Sequence, residues 1–307
     1  MEGALIYSIA REKEPSFQKE LKFLLSSAKV NNIELSAMSF AEAERFICSS
    51  CAVLKFVYFY DDDSYLLNLA MSLGIPCYSH PFSCAHSHDL GLFYKKMKDF
   101  GIAHPLYYSF PNFKNERPQD FFTYLSSSLK EAGISYPFYL RKKDDEGFAR
   151  TLCLTPIEFN ETLKKLKDSD WVAEEYIPSP ALYALVIGKR CFGILEEKKG
   201  RLVLSSFDTA FARSQAVKIA SSLRFESAIV MFRMLGKMPL ACGIYSGKYF
   251  QTFASNFGNQ PGEALFVRLL KARKNFSPYF FVGSKDVKKN RKSARATPLK
   301  NPHNNKE

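Results

Sequence analysis

Residues 77–90, CYSHPFSCAHSHDL, hold two cysteines and three of the chain's five histidines within fourteen positions. Thiolates and neutral imidazoles are zinc ligands, and a closed structural site needs four of them in a tetrahedron. The spacing argues against such a site. Structural zinc sites join two short ligand pairs across a longer loop, whereas Cys77, His80, Cys84, His86 and His88 are scattered through one short run. The competing reading makes the stretch a link from a strand to the next helix. Cys48 and Cys51 form a CxxC pair, but a redox CxxC sits where a strand enters a helix, and these two precede a strand-like run.

What such residues can do depends on the elements that hold them. The chain has 307 residues, 46% hydrophobic and 15% aromatic, enough for a substantial core in two domains or one large α/β assembly. Its longest apolar runs, such as residues 52–60 with Lys55 inside, fall short of the roughly 20 residues a spanning helix needs, so no membrane span is expected. The opening MEGALIYSIAREKE lacks a basic leader and a small-residue cleavage site, which points to a first strand and a cytoplasmic location. Seven cysteines, an odd number spread through strands and helices, fit reduced core thiols better than a disulfide framework.

The first eighty residues alternate strand-like runs (ALIYSI, IELSAM, AVLKFVYF, IPCYS) with helical patterns, the rhythm of a doubly wound parallel sheet. Phe17, Leu21, Leu24, Leu25 and Ala28 recur at three and four residues and mark the buried face of a first helix. Ser39 with Glu42 has capping-box spacing, SYLLNLAMSLG stops at Gly74, and Asp89 caps a helix ending near Gly101. The pattern then changes. Residues 117–133 read as a helix, residues 136–142 and 150–155 as paired strands, and TPIEFNETLKKLKD as a helix capped by Thr155 with Glu158 three residues later. After WVAEEYI come several strands joined by short turns such as KKGR, with a helix near residues 212–223, which indicates a mixed or antiparallel sheet.

The order of several segments resembles ATP-grasp proteins of the RimK-like kind. In that group a small α/β domain ends in a strand of the type G-I-P-V-x-N-S, and a loop then leads to an Asp-Lys pair opening a helix that ends in G-I-P-x-P. Here the same order reads LGIPCYSHP, HSHDLGLFYKKM and DFGIAHPLYYS. YPFYLRKKDDEG is similar to the lysine-bearing strand and glycine-rich loop, WVAEEYIPSP to the hinge strand against which adenine lies, and ALYALVIGKRCFGIL to the strand pair that follows. GKYFQTFASNFGNQPGEALFVRLL is similar to the closing loop and last helix. The resemblance spans roughly residues 4–275 and rests on shared order, since each motif alone is weak.

The resemblance implies ATP, magnesium held by carboxylates and an amide oxygen, and an acyl phosphate captured by an amine. Carried over by position, Arg141 or Lys142 would be the first phosphate cation, Glu174 would accept from the adenine amino group, and the backbone of Glu175, Tyr176 and Ile177 would offer the edge-on contacts. Other positions depart from the pattern. Leu90 replaces the lysine after Asp89, Ala181 and Tyr183 replace Asp-x-Arg, Ile229 or Val230 replaces the metal aspartate, and Gly243 and Tyr245 replace Glu-x-Asn. Hard cations need oxygen donors these side chains lack or supply poorly. Arg141, Lys142 and Lys143 beside Asp144, Asp145 and Glu146 also suit a solvated hairpin, and Glu174 with Glu175 a face turned to water.

The expected organisation is a parallel α/β domain over residues 1–88, an ATP-grasp domain with a mixed or antiparallel sheet over 89–282, divided near 170–180, and a basic disordered tail over 283–307. From Lys285 onward that tail carries eight basic residues against two acidic ones, half of the chain's net +12. The leading expectation is a degenerate protein with no metal and no ligation that binds ATP weakly or not at all, or serves as an interaction partner. One alternative is an active Mg-ATP-dependent ligase using Glu196, Glu197 or Asp208. Another is phosphate-led RNA or polyanion binding through the tail, which has no aromatic residue to stack on a base.

Overall fold

The computed structural model describes residues 1–78, 80–110, 121–142, 150–165, 171–207 and 209–274. Four parallel strands, β1 (Glu2–Tyr7), β2 (Glu34–Ser39), β3 (Val57–Phe59) and β4 (Cys77–Tyr78), form a first sheet in the order β2-β1-β3-β4. Helices α1 (Pro15–Val30), α2 (Phe40–Ser50) and α3 (Ser64–Ser72) alternate with them. Because helices cover both faces, β1 is apolar almost without alternation, buried from Gly3 to Tyr7. The side of α1 that faces the core is less uniform than its apolar spacing suggests, since Glu20 and Ser27 are buried beside Phe17, Leu24 and Ala28. Ser39 precedes α2 without a side-chain capping bond, whereas Asp63 caps α3 by accepting from the Leu66 N–H at 2.8 Å.

The link expected over residues 77–90 contains a helix of its own, α4 (Pro81–His88), opened by the Pro81 ring at its first turn. Helix α5 (Leu90–Asp99) follows directly, with Asp89 as its cap at 2.9 Å from the Leu92 N–H. Next come β5 (Tyr107–Ser109), α6 (Phe121–Glu131), β6 (Phe138–Lys142), β7 (Arg150–Cys153), α7 (Pro156–Lys165) and β8 (Trp171–Glu175). These strands make an antiparallel sheet in the order β5-β8-β6-β7. The Glu158 carboxylate turns back to the Leu154 N–H at 2.7 Å while Thr155 Oγ1 accepts from the Glu158 N–H, so the capping exchange at α7 is present with its return bond shifted by one residue.

A third sheet, also antiparallel, is built from β9 (Leu182–Ile187), β10 (Arg190–Lys198), β11 (Arg201–Leu204), β12 (Ser227–Leu235) and β13 (Met238–Ser246), in the order β11-β10-β9-β12-β13. Helix α8 (Ala210–Ser222) packs with α5 on one face of this sheet, and Leu90, Phe93, Ala184, Val230 and Ile219 lie in that core. On its other face Tyr183, Leu185, Ile229, Met231 and Tyr245 share a core with β1, β3, α1, α9 (Phe250–Phe257) and α10 (Pro261–Arg273). The final helices thus complete the first sheet's packing. The parallel-then-antiparallel α/β architecture is the one the residue pattern indicates.

Candidate functional site

Strand alternation turns Tyr139 and Arg141 of β6 and Glu174 of β8 to one face of the second sheet, while Phe138, Leu140 and Ala173 pack on the other. Arg141 Nη1 donates to Glu174 Oε2 at 2.8 Å and to the Cys242 carbonyl of β13 at 2.9 Å, and Nη2 donates to the Tyr245 hydroxyl at 3.0 Å. The Tyr94 hydroxyl of α5 donates to the same Glu174 oxygen at 2.6 Å. Arg141, Glu174, Tyr94 and Tyr245 are all buried, so neither Arg141 nor Glu174 faces water; residues 143–149, the rest of the expected hairpin, lie outside the described residues. Burial works against the Arg141 charge, but Glu174 holds the guanidinium strongly cationic; burial first, and Glu174 next, push the Tyr94 phenol far up. Arg141 therefore bridges the second and third sheets, with its charge answered by a protein carboxylate.

The positions implied for magnesium are equally occupied by the protein. Ile229 lies opposite Tyr245 and Met231 opposite Gly243, with Ile229, Met231 and Tyr245 in one apolar core, while Val230 faces the α8 side. A Cβ on Gly243 would stand 2.7 Å from the Tyr245 hydroxyl, so the phenol fills the space a side chain at 243 would enter. Tyr183 donates to Glu197 at 3.0 Å, and Leu90 is buried with Phe93 and Tyr94. Among the described residues no three His, Cys, Asp or Glu side chains gather to hold a cation. The side chains at the implied positions Ile229, Val230, Gly243 and Tyr245 are not a set of hard oxygen donors that would fit magnesium.

At the hinge, the Glu175 N–H donates to the Leu106 carbonyl at 2.9 Å, and the Ile177 carbonyl accepts from the Ser179 N–H at 2.8 Å and from Arg233 Nη1 at 3.1 Å. The Tyr176 ring packs 5.4 Å from Tyr139. The Lys142 side chain and Asp208 lie outside the described residues. Sequence reasoning missed Arg233 and Arg150. Arg233 is buried on β12, and its guanidinium carbon lies 5.6 Å from the centre of the Tyr139 ring; that of Arg150 lies 4.6 Å from the same ring. The signal available was an arginine in the otherwise apolar run SAIVMFRML.

A second polar cluster closes the first sheet. At the carboxyl ends of β1 and β3, where doubly wound sheets hold ligands, Asp61 accepts from the Ser8 N–H at 3.0 Å, Arg11 at 3.1 Å and Lys248 at 3.0 Å. Burial alone would raise the Asp61 pKa, but Lys248 and Arg11 bring it below the ordinary value. Asp62 accepts from Ser246 at 3.1 Å and pairs with His88 at 3.4 Å. The cysteines and histidines of residues 77–90 are engaged separately: Cys77 is buried on β4, His80 Nδ1 accepts from the Phe82 N–H, and His86 Nδ1 donates to the Phe82 carbonyl.

No family model matches the sequence, and no curated protein matches it. Solved structures do. The D-alanine–D-alanine ligase of Bacillus anthracis complexed with ATP superposes with a TM-score of 0.70 at 14% identity, covering 89% of this chain and 98% of that one. The RimK domain ATP-grasp protein of Sphaerobacter thermophilus gives 0.69 at 15% identity over 87% and 99%, and the D-alanine–D-alanine ligase of Coxiella burnetii 0.69 at 14% over 96% and 99%. At these identities the likeness is one of fold.

Proposed function

We propose that this chain, which has the ATP-grasp fold, is a degenerate relative of the carboxylate–amine ligases that no longer forms amide bonds and binds nucleotide weakly or not at all. The observation that carries the reading is Tyr245: its phenol fills the space beside Gly243 and accepts from Arg141, at the position where the resemblance places a metal ligand. The first phosphate cation is meanwhile neutralised by Glu174. Without an anchored cation bridging protein and phosphates, the charge stabilisation of phosphoryl transfer is missing.

The active-ligase reading finds little support in β10. Glu196 accepts from Ser206 and pairs with Lys198, whereas the neighbouring Glu197 accepts from Tyr183, and adjacent strand residues point to opposite faces. We further propose a cytoplasmic protein of three parts, with residues 1–88 and 89–282 as its domains and a basic tail over 283–307. The tail's net positive charge favours a polyanion as its contact. Among the described residues no helix is long and apolar enough to cross a membrane.

The test is thermal unfolding with ATP, with and without magnesium, alongside ADP release in the presence of amino acids. Saturation to about 100 times Kd would add roughly 2.7 kcal/mol and be plain in the melting curve. A small shift or none, with no increment from magnesium, is expected. Large magnesium-dependent stabilisation together with ADP release would replace this reading with the active ligase.

A further inference from the structure

Away from the cleft, three stretches of chain bring cations to one end of the third sheet. Lys189 and Arg190, both exposed, stand at the turn from β9 to β10, where the Gly188 N–H donates to the Glu226 carbonyl at 2.9 Å. Arg268 of α10 crosses that turn, its Cδ 3.1 Å from where a Cβ on Gly188 would stand, and pairs with the Glu226 carboxylate. Exposed Arg224 lies two residues before Glu226, in the link from α8 to β12, and exposed Lys271 follows Arg268 by one turn of α10. Ser83 Oγ ties the start of α4 to the same link by donating to the Leu223 and Arg224 carbonyls at 3.0 Å. Among the described residues, the pair of Arg268 with Glu226 is the only ion pair that any of these five cations makes. Ser79 and residues 275–284, which adjoin α4 and α10 outside the described residues, contain no carboxylate, and Asp208 is separated from the link by the 13 residues of α8.

How the two exposed arginines are held says what they can grip. The guanidinium carbon of Arg190 lies 4.8 Å from the centre of the Phe192 ring, and that of Arg224 lies 5.2 Å from the centre of Phe82. An aromatic face attracts a cation without neutralising it, so each guanidinium is positioned yet keeps its charge and its forked donors for an oxyanion. Arg224 acts on its neighbour as an unanswered cation does: after burial, its field holds His80 below the ordinary imidazole pKa. The same stacking commits the rings. Phe82 packs 4.6 Å from His86 as well as against Arg224, which leaves it no platform for an unstacked base. We infer that this end of the third sheet is a docking surface for duplex nucleic acid, gripped through its phosphates by Lys189, Arg190, Arg224 and Lys271. A closely spaced run of phosphates suits point contacts from separate elements, and such contacts fix position without reading bases. The inference does not need the reading of the cleft; it deepens the polyanion contact proposed for the tail by adding a surface on the folded body.

Fluorescence anisotropy of a short labelled RNA duplex, titrated with the full chain over a range of salt, tests it. Binding is expected, with log Kd linear in log salt, and to the same degree for a DNA duplex of the same sequence. Arg190→Gln with Arg224→Gln should lower the salt slope by about two units. Because both side chains are exposed, the melting temperature should not move, and Arg190→Lys with Arg224→Lys, which keeps the charge, should keep most of the slope. In a full chain carrying Lys288→Gln, Lys289→Gln, Arg291→Gln and Lys292→Gln, the binding that remains should still respond to the Arg190 and Arg224 substitutions. A slope indifferent to those two arginines, or binding abolished by the tail substitutions alone, assigns the duplex to the tail and overturns the surface. So does an absence of binding, a preference for single strands, or tighter binding to phosphatidylglycerol vesicles than to the duplex. None of these readouts involves ATP or magnesium, so such a failure leaves the reading of the cleft standing, and magnesium-dependent ADP release would remove that reading and not this one.

Discussion

Glu174 is the carboxylate on which the buried inter-sheet network turns. Its Oε2 receives both Arg141 and Tyr94, so removing it strands a guanidinium away from water. Glu174→Ala should therefore destabilise the chain by about 3–5 kcal/mol, the range for breaking a buried pair from one side. Arg141→Met with Glu174→Leu removes both charges together and should recover much of that loss. Chemical denaturation of the three chains checks the order, and a silent Glu174→Ala would contradict the network. None of this was legible from residue types alone. The sequence marks Arg141 and Glu174 as charges beside apolar strands, and whether such charges meet water or one another depends on Cys242 and Tyr245, about a hundred positions away.

At the scale of elements, the close contact of α1 with α10 depends on a glycine in the first turn of the later helix. A Cβ on Gly262 would stand 2.8 Å from the Phe23 ring and meet Ser27 Oγ as well. Gly262→Ala should then force the helices apart and cost about 1–3 kcal/mol, as overpacking does; an unchanged melting temperature would show that the two helices yield freely. The helices themselves were readable from their periodicity, and Asp89 and Thr155 from their caps. Helix α4 was not, because its eight residues, PFSCAHSH, are mostly proline, serine, cysteine and histidine and give no apolar stripe, and its stability comes from tertiary contacts such as Ser83 Oγ to the Leu223 carbonyl at 3.0 Å.

For the whole molecule, acidity links packing to pH. Burial pushes the Glu20 carboxyl up to about 7, against the pull of the Phe250 and Gln251 N–H groups it accepts from. Its folded pKa exceeds its unfolded one, so its contribution is fully present below pH 4.5 and is lost as pH rises through about 7. The change is on the order of 3 kcal/mol. Asp61 acts in the opposite sense, contributing above pH 3.8 and failing as pH falls through its lowered pKa. His80 and His86, lowered by burial, likewise lose stability as pH falls below 6.5. The measurement that isolates Glu20 is the difference between wild type and Glu20→Gln in unfolding free energy at pH 5 and pH 8: the wild type should lose more on going to pH 8. Parallel profiles would mean that the carboxyl is ionised throughout.

The order in which these parts leave the ribosome gives the Asp61 cluster a further meaning. The first sheet is complete in sequence by Tyr78, yet its helix α1 face is covered by Phe250 and Phe266, and Asp61 waits for Lys248. Tyr58 and Tyr78 donate to the carbonyls of Gly247 and Leu269, near two hundred positions downstream. A nascent chain would carry that half-covered apolar sheet through most of its synthesis, since domains otherwise fold as they emerge. Its early half is thus expected to finish packing only once the last helices have been made, so that the first sheet is assembled from both ends of the sequence at once.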